Sequence, residues 1–410
     1  MDRPTVPFAE GIPVAATQKR LSPHLAKVLC LNDFETLARK KLPRPLFGFI
    51  AGAAEDNRSL KANFTACDDF HFVPRVLVDV SARSQQVKLF GKTYASPFGL
   101  SPVGISAFLA YEGDLVLAQA AQQANIPAIM SGTSLIKMEE VAARAPQTWF
   151  QAYLPGDTAR INPLIDRIAG AGFETLVITV DIPVWANREN NVRAGFSTPL
   201  RPSLRLAWDG ITRPQWLVGT MLRTLAKRGM PHFENSFAAR GAPILSRNAI
   251  RDTTGRDHLN WKDIADIRRK WNGPMVIKGI LSPSDAVMAR KIGADGIIVS
   301  NHGGRQLDGS APALRMLPHI LDAVSELPVM VDGGFRRGSD VLKALALGAS
   351  CVFAGRPFIY AAVVGGEAGV KRAIQLLGEE VDRNMAMLGV NALDELDRSY
   401  LVPAHPCSPF

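Results

Sequence analysis

Only four cysteines occur in the 410-residue chain, Cys30, Cys67, Cys351 and Cys407, and they stand far apart. No metal-ligand spacing joins them, so no metal site is expected and the thiols read as reduced, with Cys351 a small core residue in a strand. Long apolar runs are also lacking, and nothing in the sequence is long enough to read as a membrane-spanning helix. The stretch from Met1 to Ala16 has no continuous apolar segment after a basic start, so no signal peptide is expected. No G-x-G-x-x-G opens a strand–helix unit, which argues against a nicotinamide cofactor. The basic residues lack interleaved aromatics outside one central stretch, so nucleic acid is not an expected partner.

What is present is a 47% hydrophobic composition, enough for a large core. The length suits two or three domains, or one large barrel. A formal charge of +9 and a pI near 9.5 favour anionic partners: acidic metabolites, phosphates, nucleic acid or an anionic membrane surface.

From Pro97 onward one unit recurs: a short apolar run, a turn, then a helical pattern. The strand-like runs are 98–103, 126–131, 148–154, 175–181, 274–279, 296–300, 328–332 and 351–355. Strands apolar on both faces that alternate with helices imply a parallel sheet. Eight units suggest an α/β (β/α)8 TIM barrel, and a doubly wound sheet is the competing layout. The runs end in residues a core would not choose: Ser131, Gln151 with Tyr153, Thr179 with Asp181, Lys278, Ser300 to His302, Asp332 and Arg356. A barrel gathers such strand ends on one face, where its active site belongs. The expected organisation is an N-terminal helical segment and lead-in over 1–96 and a barrel over 97–410, with a long insertion after strand four at about 183–260. In the N-terminal part, Asn32, Asp33 and Glu35 are expected to open a helix that Pro43 ends.

The stretch Ser300-Asn301-His302-Gly303-Gly304-Arg305 is the most informative. A buried strand runs into a histidine able to act as a base near neutral pH, glycines that admit close approach, and an arginine whose planar fork suits a carboxylate. The sequences from Asp332 to Gly338 and from Gly355 to Pro357 put two Gly-rich, Arg-bearing turns after strands seven and eight, where a barrel binds phosphate.

Together the motifs SNHGGRQLDG, DGGFRRGSDV, KALALGA and GRPF resemble those of the FMN-dependent 2-hydroxy-acid dehydrogenase and oxidase family, on the membrane-associated branch that oxidises L-lactate and mandelate. The similarity runs from about Asn32 to Ser399. It implies FMN as cofactor and oxidation of an (S)-2-hydroxy acid to the 2-oxo acid, with electrons passed to a quinone or another non-oxygen acceptor; an oxidase that makes hydrogen peroxide is the alternative. It implies that His302 takes a proton from the substrate, that Asp181 stabilises the resulting imidazolium, and that Arg305 and Arg188 hold the carboxylate while Tyr153 hydrogen-bonds the substrate. Lys278 would stand at the N1 and O2 edge of the flavin. Pro102, Val103, Gly104, Ser131, Gln151, Thr179 and Ser300 would surround the rings and the ribityl chain. Asp332 would meet the ribityl hydroxyls, and Gly333, Gly334, Arg336, Gly355 and Arg356 would hold the phosphate. A homotetramer, and a cytoplasmic location with peripheral attachment at the inner membrane face, are further implications.

Two positions depart from the family pattern. Phe49 stands where a tyrosine usually helps bind the carboxylate, and Thr133 where the plant oxidase carries tryptophan. Gly104 matches the dehydrogenases rather than the oxidases, which tend to have alanine. Within the insertion, residues 201–228 hold six basic residues and one acidic residue, Asp209. Leu217, Val218, Met221, Leu222 and Leu225 fall on one helical face, with Thr220, Arg223 and Lys227 opposite. With Trp208 and Trp216 this stretch is expected to dock on an anionic membrane surface; a lid helix would show the same stripe.

Overall fold

A computed structural model describes residues 22–197, 203–246 and 256–404. Its centre is a barrel of eight parallel strands: β1 (Phe98–Leu100), β2 (Ile129–Ser131), β3 (Trp149–Ala152), β4 (Leu176–Thr179), β5 (Met275–Ile280), β6 (Gly296–Val299), β7 (Val329–Asp332) and β8 (Cys351–Ala354). Neighbours in the chain are neighbours in the sheet, β8 pairs back onto β1, and a Leu100–Ala128 bridge closes the ring toward β2. The expected barrel is therefore present, and the doubly wound alternative is not. Helices such as Gly113–Gln123, Thr158–Gly170, Pro283–Lys291 and Gly338–Ala346 follow the strands.

The strand sequences explain why the site opens at one end. Side chains two residues apart share a strand face. On the inward face the first of each pair is apolar and the second polar: Ile129 and Ser131, Trp149 and Gln151, Val177 and Thr179, Val276 and Lys278, Ile298 and Ser300, Met330 and Asp332. The apolar members pack with Cys351 and Phe353 into a plug inside the barrel. A hairpin of Val87–Leu89 and Lys92–Tyr94 seals that end, where Trp149 Nε1 donates to the Tyr94 hydroxyl at 3.2 Å. The polar members lie one layer up, at the carboxyl ends of the strands.

The first long helix spans Leu31–Lys41, and its cap differs from the expected one: Cys30 is the N-cap residue, and Asp33 accepts from the backbone N–H groups of Leu29 (2.8 Å) and Cys30 (3.2 Å). Arg44–Ala51 and Arg58–Thr65 follow, and these two helices approach the barrel mouth.

After β4 the chain leaves the barrel and returns at the Trp261–Lys270 helix. Arg201, at the start of the basic stretch, lies outside the described residues, as do Met1 to Ala16 and Cys407. The apolar stripe expected across 217–225 splits. Trp216, Thr220 and Thr224 are buried, Leu217, Met221 and Leu225 are half-buried, and Val218 and Leu222 face outward. Leu217–Leu222 forms a π-helical turn, whose i→i+5 bonding shifts the faces that an α-helical wheel assigns. Thr220 therefore turns inward. Trp216 is no surface aromatic: its indole N–H donates to Phe108 O at 3.0 Å and its ring packs edge-on to Phe108. Arg228 bridges Glu112 and Glu140, which ties the segment to the barrel.

Candidate active site

His302 sits just beyond β6 with φ at +57°, a left-handed conformation that costs a non-glycine residue of order 1 kcal/mol or more. Distant parts of the chain hold it there. Asn301 and Asn63 exchange side-chain amide bonds at 2.8 and 3.0 Å, and Asn301 Oδ1 also accepts from Gly304 N. Asp308 accepts from the backbone of Ser59 and Asp56, so the Arg58–Thr65 helix clamps the histidine loop from outside.

His302 Nδ1 lies 2.9 Å from Asp181 Oδ1, at the end of β4. Burial lowers the His302 pKa; Asp181 opposes this, while Lys278 and Arg188 add to it, and the net shift is downward. Burial raises the Asp181 carboxyl, but His302 and Lys278 outweigh it and hold the pKa below its usual value. At neutral pH the pair is therefore a neutral imidazole donating Nδ1–H to a carboxylate, with Nε2 left to accept a proton.

The inward polar layer forms its own network. Lys278 Nζ donates to Ser300 Oγ at 2.9 Å and pairs with Asp332 Oδ2 at 3.0 Å. Burial lowers the Lys278 pKa, yet Asp332 and Asp181 more than compensate and it stays cationic. Ser131 Oγ contacts Thr133 Oγ1 and Gln151 Oε1. Three buried polar atoms of this layer have no partner: Gln151 Nε2, Thr179 Oγ1 and Asp332 Oδ1. Orphaned buried donors and acceptors are costly, and three around one barrel mouth mark the place of a polar ligand.

On the β7–β8 side, Arg336 is a buried cation and Arg356 a half-buried one. Burial first, then mutual repulsion, pushes Arg336 down to about 10, and burial lowers Arg356 as well. Neither has a carboxylate partner among the described residues; Arg356 donates to the carbonyls of Ile50, Gly52 and Gly303. Beside them a Cβ on Gly334 would lie 2.1 Å from Asn63 O, so only glycine fits. Two uncompensated guanidinium groups at a glycine turn suit a phosphate.

One cavity joins these parts. It is lined by Pro102, Val103 and Gly104 after β1, by Lys278, Asp332, Gly333, Gly334, Arg336, Gly355 and Arg356, and by Phe49, Tyr153, Arg188, His302 and Arg305. Ser131, Gln151, Thr179 and Ser300 lie buried beneath, and Asp181 stands behind His302. Arg305 Nη1 donates to the carbonyls of Phe49 (2.9 Å) and Gly52 (2.6 Å). Arg188 donates Nε to Arg305 O and Nη2 to Gln306 Oε1, and burial lowers its pKa. Phe49 is 6% exposed and packs on Phe196 with ring centres 4.5 Å apart. Ile182, Trp185, Phe233, Ser236 and Phe237 also line the cavity and were not anticipated from sequence. Four of the five lie in the insertion at no recognisable spacing, and three of those four are aromatic.

The unpartnered polar atoms, the fixed cation Lys278 and the arginine–glycine cradle fit FMN, and the base lines the same cavity. Fold and site together define a flavin-dependent barrel oxidoreductase. The profile of FMN-dependent dehydrogenases matches residues 38–403, and the chain belongs to that family. It is 40% identical over 381 residues, 90% of this chain and 97% of the other, to an L-lactate dehydrogenase of Caulobacter sp. (strain K31). It is 38% identical over 386 residues, 91% and 98% of the two chains, to an L-lactate dehydrogenase of Pseudomonas syringae pv. syringae (strain B728a). Among solved structures it resembles the monotopic membrane protein (S)-mandelate dehydrogenase, with a TM-score of 0.84 and 32% identity over 92% of this chain and 100% of that one. It also resembles a mandelate oxidase in complex with (S)-2-phenylpropionate, with a TM-score of 0.74 and 35% identity over 92% and 98%.

Proposed function

We propose that the chain oxidises an (S)-2-hydroxy acid to the 2-oxo acid and passes the electrons to a quinone at a membrane surface. The observation that carries the reaction is the His302–Asp181 pair, 2.9 Å apart, facing one cavity with Arg188, Arg305 and Tyr153. The reaction removes two electrons and two protons from the substrate. His302 Nε2 takes one proton, and Asp181 stabilises the imidazolium that results. Arg188 and Arg305 orient the carboxylate, and Tyr153 bonds the substrate oxygen. FMN, when bound, would supply the acceptor for the two electrons and the second proton that the side chains cannot take. Gln151, Thr179 and Asp332 would meet its polar edges, Lys278 would face the ring edge where charge develops, and Arg336 and Arg356 would hold its phosphate.

The names of the relatives support the substrate class: L-lactate dehydrogenases in sequence, mandelate enzymes in structure. The membrane part is supported by the outward residues of the insertion. Leu204, Trp208 and Ile211 recur at helical spacing, exposed by 93%, 67% and 61%, with Val218 and Leu222 also outward. No helix among the described residues is long and apolar enough to cross a membrane, so attachment would be peripheral.

The test is anaerobic mixing of the FMN-loaded protein with a panel of (S)-2-hydroxy acids. Loss of the visible flavin absorbance, followed by its return on adding a soluble quinone faster than on adding air, is expected. No loss with any acid overturns the reaction, and return fastest in air overturns the acceptor in favour of the peroxide-forming alternative.

A further inference from the structure

The inner end of the insertion is bonded to the barrel mouth through side-chain-to-backbone hydrogen bonds. Asn235 Oδ1 accepts from Met138 N at 2.8 Å, and its Nδ2 donates to Ile136 O (2.6 Å) and Ser134 O (3.3 Å). Arg167 Nη1 donates to the carbonyls of Glu234 (2.8 Å) and Phe237 (2.9 Å) while its other nitrogens grip Glu139. Ser236 Oγ donates to Gly132 O. Across the segment, Phe233 N bonds Ala242 O, Gly241 N bonds Phe233 O, and His232 bridges Pro243. Residues 231–244 thus fold back on themselves and are fixed to the loop after β2, the loop that follows Ser131 and carries Thr133. Phe233 is buried, and Phe237 is half-buried beneath the Arg160 guanidinium, 4.3 Å from its ring centre.

The two sides of the cavity differ in chemistry. The barrel floor has three orphaned polar atoms, at Gln151, Thr179 and Asp332. A second wall, built by Ile182, Trp185, Phe233 and Phe237, is apolar apart from the Trp185 indole N–H. The polar groups nearest it are engaged by the protein itself: Ser236 with Gly132, Thr133 with Ser131, and Arg256 Nε with Leu154 O at 2.9 Å. A mainly aromatic wall binds apolar surface.

We propose that Phe233 and Phe237, presented by the 231–244 segment, are specificity-determining residues that select a 2-hydroxy acid with a large apolar, aryl-bearing side chain over lactate. Asn235 is the positioning residue that fixes them. The inference rests on the hydroxy-acid reading of the same site. A methyl side chain leaves the aromatic wall uncovered, whereas a phenyl group covers it. Pocket contacts of this kind discriminate by about 10–200-fold per methylene-sized difference.

The test compares (S)-lactate, (S)-mandelate and (S)-3-phenyllactate as reductants of the FMN-loaded protein. A second readout is the change in flavin absorbance on titration with pyruvate and with benzoylformate. The wild type is expected to favour an aryl acid over lactate by about tenfold or more in kcat/KM, and benzoylformate over pyruvate in affinity. Phe233→Ala and Phe237→Ala should each collapse both preferences, lowering kcat/KM for the aryl acids by about tenfold more than for lactate, with FMN content little changed. Phe237→Leu, which keeps apolar bulk, should fall between, and Asn235→Ala should weaken the preference through KM. If lactate equals the aryl acids, or if the variants change all acids in proportion, the specificity assignment is overturned while the reaction stands. If no acid reduces the flavin, the reaction reading fails and this inference with it.

Discussion

His302 Nδ1 and Asp181 Oδ1 lie 2.9 Å apart, between the ends of β6 and β4. Burial drives the histidine pKa down and the carboxylate restores part of it. The native histidine therefore binds a proton less readily than the unfolded one, whose pKa is about 6.5. Two consequences share this sign. Turnover falls as pH drops through the native pKa, so the acid limb of kcat/KM should lie below about pH 6.5. Folding stability also declines as pH falls below that value, because the unfolded state gains the proton first. Asp181→Asn removes the group that raises the pKa. It should move the limb further acid and reduce kcat/KM by roughly two to four powers of ten. A pH–rate profile measured anaerobically on both proteins decides it; an unchanged limb in the variant would mean that Asp181 does not tune the base.

Lys278 and Asp332 form a buried ion pair at 3.0 Å. Lys278→Met leaves Asp332 as an uncompensated buried charge, which typically costs about 3–5 kcal/mol. Asp332→Asn in the same chain removes that charge and should recover most of the loss. Thermal unfolding of the single and double variants at equal FMN concentration checks this. A double variant no more stable than Lys278→Met alone would show that the pair is not what Lys278 contributes to folding.

The barrel and the polar strand ends were legible because each strand is short and its inward pair, such as Val276 and Lys278, repeats the same apolar-then-polar order. The motif after β6 was legible because histidine, two glycines and arginine are unusual company for a buried strand. The supports were not. Asn63 and Asn301 lie 238 residues apart and form a pair only once the N-terminal helices close on the barrel mouth. Asn235 and Arg167 act through backbone carbonyls of distant loops, which leave no periodic trace. Trp216 misled in the opposite direction. Its surroundings in sequence are those of a surface aromatic, yet Phe108 offers it both a carbonyl and a ring.

At Gly104 an added Cβ would lie 2.2 Å from Thr133 Oγ1. Gly104→Ala, the residue that oxidases of this kind tend to carry, therefore forces Thr133 away from Ser131, at an overpacking cost of about 1–3 kcal/mol. Adding Thr133→Ala should relieve it. Melting temperatures of Gly104→Ala and of the double variant supply the check; equal destabilisation in both would place the strain elsewhere.

Phe49 packs on Phe196 with the Arg305 guanidinium 5.1 Å from its ring centre. A hydroxyl added there by Phe49→Tyr would stand beside the carboxylate end of the cavity. Binding of lactate should tighten by about 0.5–1.5 kcal/mol, read as a lower KM with little change in kcat. A loss across every acid tested would mean that the added hydroxyl meets the Phe196 side of the packing instead.

The insertion presents two faces with different chemistry. Inward, Trp216, Thr220 and Thr224 pack toward the barrel, with Arg228 fixed between Glu112 and Glu140. Outward, Leu204, Trp208 and Ile211 are exposed together, and Arg213, Arg223 and Lys227 supply cationic charge nearby. Removing residues 203–228 whole would open the barrel mouth and confound attachment with unfolding, so the outward face must be altered alone. Leu204→Ser, Trp208→Ser and Ile211→Ser combined should leave turnover with an artificial acceptor within about twofold, since surface substitutions away from packed contacts typically change stability by only about 0.5 kcal/mol. The same protein should lose most of its co-sedimentation with vesicles rich in phosphatidylglycerol. Attachment of the unaltered protein should weaken as salt rises, because each basic residue near an anionic surface contributes about 1 kcal/mol that screening removes. If the unaltered protein ignores such vesicles at low salt as thoroughly as the triple variant does, the outward face is no membrane anchor, and the quinone must reach the flavin by another route.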